Sequence, residues 1–116
     1  MTETNPKSDK ALVLYVLEQI EVIRQYLEGI SDYEFYQNRM LKDAYYARIM
    51  VIGEYSKRIS EKIQEQHNYI EWEVMKRARN FYAHGYGSLD WTRVWETLQT
   101  EIPRLKIDFE RLLKEL

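Results

Sequence analysis

Chemically useful side chains gather in one short stretch of the chain, Arg79 to Tyr86. Arg79 precedes His84, one of two histidines, by five residues. An arginine can hold the anionic oxygens of a phosphodiester while a histidine moves the proton, so the pair can cleave the ester without a metal ion. Lys76 and Arg77 add positive charge, so any contact with a nucleic acid such as RNA would come from this local patch. Short Arg–His spacings are common in helical proteins, so a solvated basic helix end is the competing interpretation.

The bulk properties of the chain limit its function classes. Its 116 residues fit a single domain, 1–116, and its net charge of −2 excludes a generally basic nucleic-acid binder. The absence of cysteine excludes thiolate chemistry and Cys-based zinc sites, and it favours a reducing cytoplasm. No apolar run reaches the roughly 18 residues that span a bilayer. We expect no metal and no cofactor, and a frayed polar N terminus at residues 1–8.

The spacing of apolar residues is helical almost everywhere, and only four glycines and two prolines interrupt it. Ser31 and Glu34 have the form of a capping box that opens a short extra helix. Gly53 lies inside a predicted helix, which indicates close approach of a neighbouring helix or subunit. Pro103 is expected to kink or divide the last helix. The first three principal helices are predicted at about residues 9–28, 38–66 and 70–83. Gly29 ends the first of them, and Asp90 caps a last helix that carries Trp91 to Leu112. The predicted fold is therefore an all-α, antiparallel four-helix bundle.

The segment that follows the third helix is dense in glycine. We expect this helix to end near Ala83, so that a turn at Gly85 and Gly87 swings His84 towards Arg79. On a continuous helix the two positions would lie about 140° apart around the axis. In a two-fold dimer, the motif of a second chain could also approach.

The pattern Arg79-Asn80-x3-His84-x-Tyr86 resembles the motif of the HEPN superfamily, in the form shown by the HepT-like (DUF86) toxins of prokaryotic toxin–antitoxin modules. The resemblance covers nearly the whole chain, from about residue 9 to residue 116. The chain departs from the family pattern at Arg77-Ala78, where Gly-Met is frequent, and this adds a charge to the basic patch. Further matching segments occur in the expected order: Asp43-Ala44, Ile52-Gly53-Glu54, Lys57-Arg58-Ile59-Ser60, Trp72 and Val94-Trp95-Glu96-Thr97.

The resemblance implies an HEPN-like bundle, a homodimer with the motif helices near the two-fold axis, and metal-independent cleavage of RNA. His84 would deprotonate the ribose 2′-hydroxyl or protonate the leaving 5′-oxygen, and Arg79 would stabilise the charged transition state. Asn80 would orient the phosphate or the histidine. The products would be a 2′,3′-cyclic phosphate and a 5′-hydroxyl. For Glu54, a solvated helix glutamate is the favoured interpretation over a polar partner of the site.

Tyr86 has a separate implied role. It is similar to the tyrosine that a partner antitoxin, a minimal nucleotidyltransferase (MNT), modifies with AMP taken from ATP. AMPylation two residues from His84 would block the site and occupy the arginines. It requires an exposed Tyr86, which the flanking glycines would leave free to move. Two alternatives remain: a non-catalytic HEPN subunit that binds a nucleotidyltransferase and serves as its substrate, and a helical dimerisation domain with no site.

Overall fold

The computed structural model describes residues 8–116, which form helices joined by short connections. No strand occurs within this range, so the predicted all-α class is confirmed. The predicted frayed end falls mainly on residues 1–7, outside the described part of the chain, and Ser8 caps the first helix. The elements are α1 (Asp9–Leu27), α2 (Asp32–Gln37), α3 (Arg39–Arg58), α4 (Glu61–Gln66), α5 (Trp72–Gly85), a 3₁₀ turn (Tyr86–Ser88) and α6 (Trp91–Glu115).

Four long helices form the bundle, as predicted. Helix α3 packs against both α1 and α5, and α1 packs against α6. The short helix α2 closes one end by contacting α3 and α6. Burying the apolar stripe of each helix supplies most of the stabilisation. The most deeply buried side chains of this core are Val13, Val16, Ile23, Phe35, Tyr45, Phe109 and Leu112.

The connection from α1 to α2 follows the sequence prediction. Gly29 ends the first helix in a left-handed conformation, with φ of 73°. The capping box is complete, since the Glu34 amide donates to Ser31 Oγ at 3.1 Å and the Ser31 amide donates to the Glu34 carboxylate at 2.9 Å. This second bond holds the pKa of Glu34 below its ordinary value. The box fixes the entry of α2, which buries Phe35 in the core.

The predicted long helix over residues 38–66 is wrong, because the chain breaks after Arg58 and restarts as α4. Ser60 is the N-cap of the new helix. The Ser60 amide and hydroxyl each donate to the Asp9 carboxylate at 2.8 Å, which ties the break to the start of α1. Serine competes with the helical backbone for hydrogen bonds and favours caps. The tie to Asp9 is therefore the physical reason for the break.

The last helix is continuous across Pro103, so division at that residue is excluded. A proline in a helix removes one backbone hydrogen bond and crowds the preceding turn. Pro103 is exposed, while its neighbour Ile102 is buried in the core. Packing on the buried side thus holds α6 together past the proline.

Candidate functional site

The motif lies on α5, which continues two residues beyond the turn expected near Ala83. The prediction that a turn carries His84 towards Arg79 is therefore wrong. Gly85 closes the helix without adopting a positive φ, and the chain passes directly into the 3₁₀ turn. Positions 79 and 84 consequently lie about 140° apart around the helix axis. The two motif positions thus occupy different faces of α5.

Arg79 crosses α3 at Gly53. A Cβ built on Gly53 would lie 2.6 Å from Arg79 Cγ and 2.7 Å from Arg79 Cβ, closer than real carbon contacts allow. The predicted close approach at Gly53 is confirmed, and the approaching element is α5 of the same chain. A glycine at this position is what allows the arginine to cross α3 so closely.

The Arg79 guanidinium is held by two side-chain hydrogen bonds. Its Nη2 donates to Glu54 Oε1 at 2.9 Å, and its Nη1 donates to Asn80 Oδ1 at 3.2 Å. The interpretation of Glu54 as a solvated glutamate is therefore wrong. Its other carboxylate oxygen lies 3.9 Å from Arg58 Nη2. Glu54 thus lies between two arginines and fixes the direction of the Arg79 guanidinium.

The arrangement leaves donors available for an anion. Arg79 Nε is buried and has no hydrogen-bond acceptor within the described residues, but the side chain as a whole is 31% exposed. Each terminal nitrogen bears two N–H groups and uses one of them, so one N–H remains on each. Asn80 accepts through its oxygen, which leaves its amide nitrogen as a further donor. Together these groups can bind two oxygens of a phosphate.

The remaining motif residues differ in what the structure shows of them. The side chain of His84 lies outside the described part of the structure, so its role stays a prediction. Lys76 and Arg77 are exposed on α5, and Lys76 Nζ donates to Glu73 at 3.4 Å. This ion pair offsets part of the predicted basic patch. Arg77 thus remains the more available cation for a polyanion.

Tyr86 is held more tightly than the sequence predicts. Its ring is partly buried and meets Tyr46 and Trp91 edge-to-face, at centroid distances of 4.7 and 5.7 Å. Its hydroxyl donates to the Asp43 carboxylate on α3. The expected freely moving, glycine-flanked loop is therefore wrong, because a 3₁₀ turn and an aromatic cluster fix the ring. Sequence reasoning noted Asp43 and missed this contact.

Both halves of the motif therefore dock on one helix. Asp43, which contacts Tyr86, and Glu54, which contacts Arg79, are eleven residues apart on α3. Eleven residues are about three turns, so both carboxylates lie on one face, roughly 16 Å apart along the axis. This spacing is the signal in the sequence that could have identified the shared face.

A groove of about 320 Å³ lies between α5 and α6. Its rim includes Glu101 and Asp108, and Arg104 pairs there with Glu71 at 3.5 Å. Val74 on α5 is 43% exposed at its edge, so apolar surface is left uncovered beside the motif helix. The apolar lining comprises Ile49, Val74, Met75, Ala78, Ile102 and Leu105.

Among the side chains that the structure describes, no three of His, Cys, Asp or Glu gather as a set of metal ligands. None of the helices between residues 8 and 116 has the length and apolar character needed to cross a membrane.

A family model described as "Ribonuclease HepT-like" matches residues 16–112. The chain belongs to the HepT-like ribonuclease family. The resemblance drawn from the motif is thereby confirmed. This membership fits the helical bundle, and Arg79, Asn80, His84 and Tyr86 stay predicted site residues.

Similar curated proteins carry related names. "Putative RNase MJ1216" of Methanocaldococcus jannaschii is 33% identical over 96% of this chain and 93% of its own length. "Probable ribonuclease HepT" of Thermococcus cleftensis is 32% identical over 93% of this chain and 98% of its own. "Gamma-glutamylcyclotransferase and putative RNase MJ0434" of M. jannaschii is 30% identical, and the chain spans half of its length. No solved structure matches the chain.

Proposed function

We propose that this protein is a metal-independent endoribonuclease, the toxin of a prokaryotic toxin–antitoxin system. The observation that carries the proposal is the guanidinium of Arg79, fixed over Gly53 by Glu54 and Asn80 with two N–H donors left for a phosphate. The family of ribonucleases to which the chain belongs supports RNA as the substrate. The protein would act in the cytoplasm, where RNA and ATP are present.

The proposed reaction is an intramolecular transesterification. The ribose 2′-oxygen attacks the adjacent phosphorus, its proton passes to a base, and the P–O5′ bond breaks as the leaving oxygen is protonated. His84 performs the proton transfers, and the products are a 2′,3′-cyclic phosphate and a 5′-hydroxyl. Arg79 and the Asn80 amide bind the non-bridging oxygens, whose charge increases in the transition state. Arg77 and Lys76 extend the contact along the RNA.

A homodimer completes the proposed site. Positions 79 and 84 lie on different faces of α5, so one chain does not bring them together on a single face. A two-fold axis near the motif helices would place Arg79 of one subunit beside His84 of the other. The uncovered apolar groove between α5 and α6 supports a further subunit contact on this side of the bundle.

Subunit mixing tests the completed site. Arg79→Ala and His84→Ala proteins, each inactive alone, would be mixed under conditions that allow exchange of subunits. If the residues act across the dimer, each mixed dimer contains one intact site, and random exchange restores about a quarter of the parental rate. If mixing restores no cleavage, the two residues act within one subunit.

The proposed antitoxin is a minimal nucleotidyltransferase that transfers AMP from ATP to Tyr86. Tyr86 follows Arg79 by seven residues, about two turns or roughly 10 Å along a helix. An added nucleotide is long enough to cover that interval, and its phosphodiester would compete with RNA for the arginine. Modification would thereby silence the ribonuclease.

A cleavage assay tests the enzyme assignment. Protein purified free of antitoxin should cleave RNA in EDTA, and His84→Ala should abolish cleavage while the helical circular dichroism signal is retained. Cleavage by His84→Ala at the parental rate would show the assignment to be wrong.

The second candidate is a non-catalytic subunit that binds the nucleotidyltransferase and serves as its substrate. The net charge of −2 favours it, because an acidic chain as a whole does not attract RNA. The Tyr86–Asp43 contact also fits it, because that contact does not depend on RNA binding. Intact-mass measurement after incubation with ATP and the nucleotidyltransferase detects AMP on either candidate. RNA cleavage by the unmodified protein then separates them, since only the toxin cuts.

A further inference from the structure

The hydroxyl of Tyr86 is aimed at a carboxylate. It donates to Asp43 Oδ1, and the ring is fixed edge-to-face between Tyr46 and Trp91. Tyr46 is itself anchored, because its hydroxyl donates to the Tyr82 carbonyl oxygen at 2.8 Å. Packing therefore fixes the ring of Tyr86 so that its hydroxyl faces Asp43.

Asp43 is exposed on α3 and accepts the hydroxyl of Tyr86. No ion pair among the described side chains includes its carboxylate. A second tyrosine–carboxylate pair within the described residues has a different acceptor. Glu115 accepts from Tyr69 at 2.9 Å and also from Arg111 at 3.2 Å, so that carboxylate is shared with a guanidinium.

Exposure alone does not single out Tyr86. Tyr33 is 68% exposed on α2, whereas the Tyr86 ring is partly buried. A transferase that chose tyrosines by access would modify Tyr33 first. What distinguishes Tyr86 is a hydroxyl held against a carboxylate that, within the described side chains, has no cationic partner.

We infer that Asp43 is the proton acceptor that activates Tyr86 for nucleotidyl transfer from a nucleoside triphosphate, an inference that rests on the proposed modification of Tyr86. The phenolic oxygen forms a bond to the α-phosphorus as the bond from that phosphorus to the bridging oxygen of the β-phosphate breaks. Pyrophosphate leaves with the electrons of the broken bond, and the phenolic proton passes to the Asp43 carboxylate. The substrate chain thus supplies the base for its own modification.

The inference is tested by the rate of AMP transfer to the full chain, with Mg²⁺-ATP as donor and the cognate nucleotidyltransferase as catalyst. Asp43→Asn keeps the size of the side chain and removes the base. Its kcat should fall about 100-fold or more, while the KM for ATP is unchanged. Formate added to Asp43→Ala should restore part of the rate, because a small carboxylate fits the vacated position. Asp32→Asn, which removes an exposed carboxylate elsewhere, should match the parent.

The outcomes distinguish failure of the proposed modification of Tyr86 from failure of the role of Asp43. If the parent acquires no AMP, the proposed modification fails and the inference fails with it. If the parent is modified at Tyr86 and Asp43→Asn reacts equally fast, the inference alone is overturned. Peptide mapping of the modified parent locates the AMP group, and this test does not depend on the folding of any variant. AMP on Tyr86 ahead of Tyr33 supports selection by the carboxylate, and AMP on Tyr33 first contradicts it.

Discussion

Arg79 crosses Gly53 at a distance that no other residue type at position 53 would allow, with only 2.6 Å between Arg79 Cγ and the place of a Cβ. The crossing places the guanidinium beside Glu54, one residue further along α3. A glycine in a helix interior costs about 1 kcal/mol relative to alanine. At position 53 this cost is offset because the glycine lets Arg79 lie close against α3.

Gly53→Ala should therefore impair cleavage while the bundle still folds. The gain in helix propensity, about 1 kcal/mol, offsets part of an overpacking cost of about 1–3 kcal/mol, so the free energy of unfolding should fall by no more than about 2 kcal/mol. The displaced guanidinium should lower the single-turnover rate of RNA cleavage by about tenfold or more. Gly87→Ala is the matched control, since no described atom lies within 4 Å of a Cβ there. Equal rates for Gly53→Ala and Gly87→Ala would contradict this role of the crossing.

Glu54→Gln should loosen the guanidinium without unfolding the bundle. The Arg79–Glu54 pair is about one-third exposed, so its loss costs only about 0.5–1 kcal/mol. We expect a fall in cleavage rate of about two- to fivefold, measured in single-turnover assays at low salt. Glu61→Gln, at an exposed position on α4, is the control. A faster Glu54→Gln enzyme would mean that the carboxylate restrains Arg79 from its substrate instead of orienting it.

The sequence predicted most of the fold because its local signals agree with the tertiary packing. The capping box at Ser31, the glycine stop at Gly29 and the N-cap at Asp90 all occur as predicted. It failed at Ser60, where the partner that stabilises the break is Asp9, 51 residues away in the chain. The periodicity of apolar residues predicts which face of a helix is buried. It does not predict hydrogen bonds between residues that are distant in the chain.

The site was predictable in its residue types and less so in its arrangement. Arg79 was recognised, but its carboxylate partner was not, because a glutamate on a helix is more often solvated. Tyr86 was expected to be loose because glycines flank it, yet its ring is fixed by Tyr46 and Trp91. The contact that decided the first case, Arg79–Glu54, joins residues 25 positions apart, and the contact Tyr86–Tyr46 in the second joins residues 40 positions apart. These contacts depend on how α5 packs against α3, and the spacing of residues within one motif carries no information about that packing.

The tie between Ser60 and Asp9 can be measured by a double-mutant cycle. Ser60→Ala removes an N-cap and should lower the free energy of unfolding in urea by about 1 kcal/mol. Asp9→Asn should weaken the same contact from the other side, and the double variant should show coupling of about 0.5 kcal/mol or more. Strict additivity of the two changes would show that the break after α3 does not depend on this tie.

Stability should depend on pH at both extremes through the pair Tyr69–Glu115. The bond from Tyr69, aided by Arg111, holds the pKa of Glu115 below 4.5, so this stabilisation is present above pH 4.5 and is lost as the pH falls further. The pKa of Tyr69 is raised from 10.0 to about 12, so its contribution is present below pH 10 and is lost as the pH rises towards 12.

Tyr69→Phe should therefore flatten both edges of the profile of unfolding free energy against pH, measured in urea. Tyr33→Phe is the control, because Tyr33 is largely exposed. The same loss of stability above pH 10 in the parent and in Tyr69→Phe would show that another group is responsible.

The most direct test is the rate at which Arg79→Ala cleaves RNA in EDTA, in the absence of antitoxin. We expect the parent to cut RNA and leave a 2′,3′-cyclic phosphate, while Arg79→Ala, still helical by circular dichroism, is slower by about 10²- to 10³-fold. Arg79→Lys should recover only part of the rate, because an ammonium cannot bind two phosphate oxygens in the geometry of a guanidinium. Cleavage by Arg79→Ala at the parental rate would contradict the account.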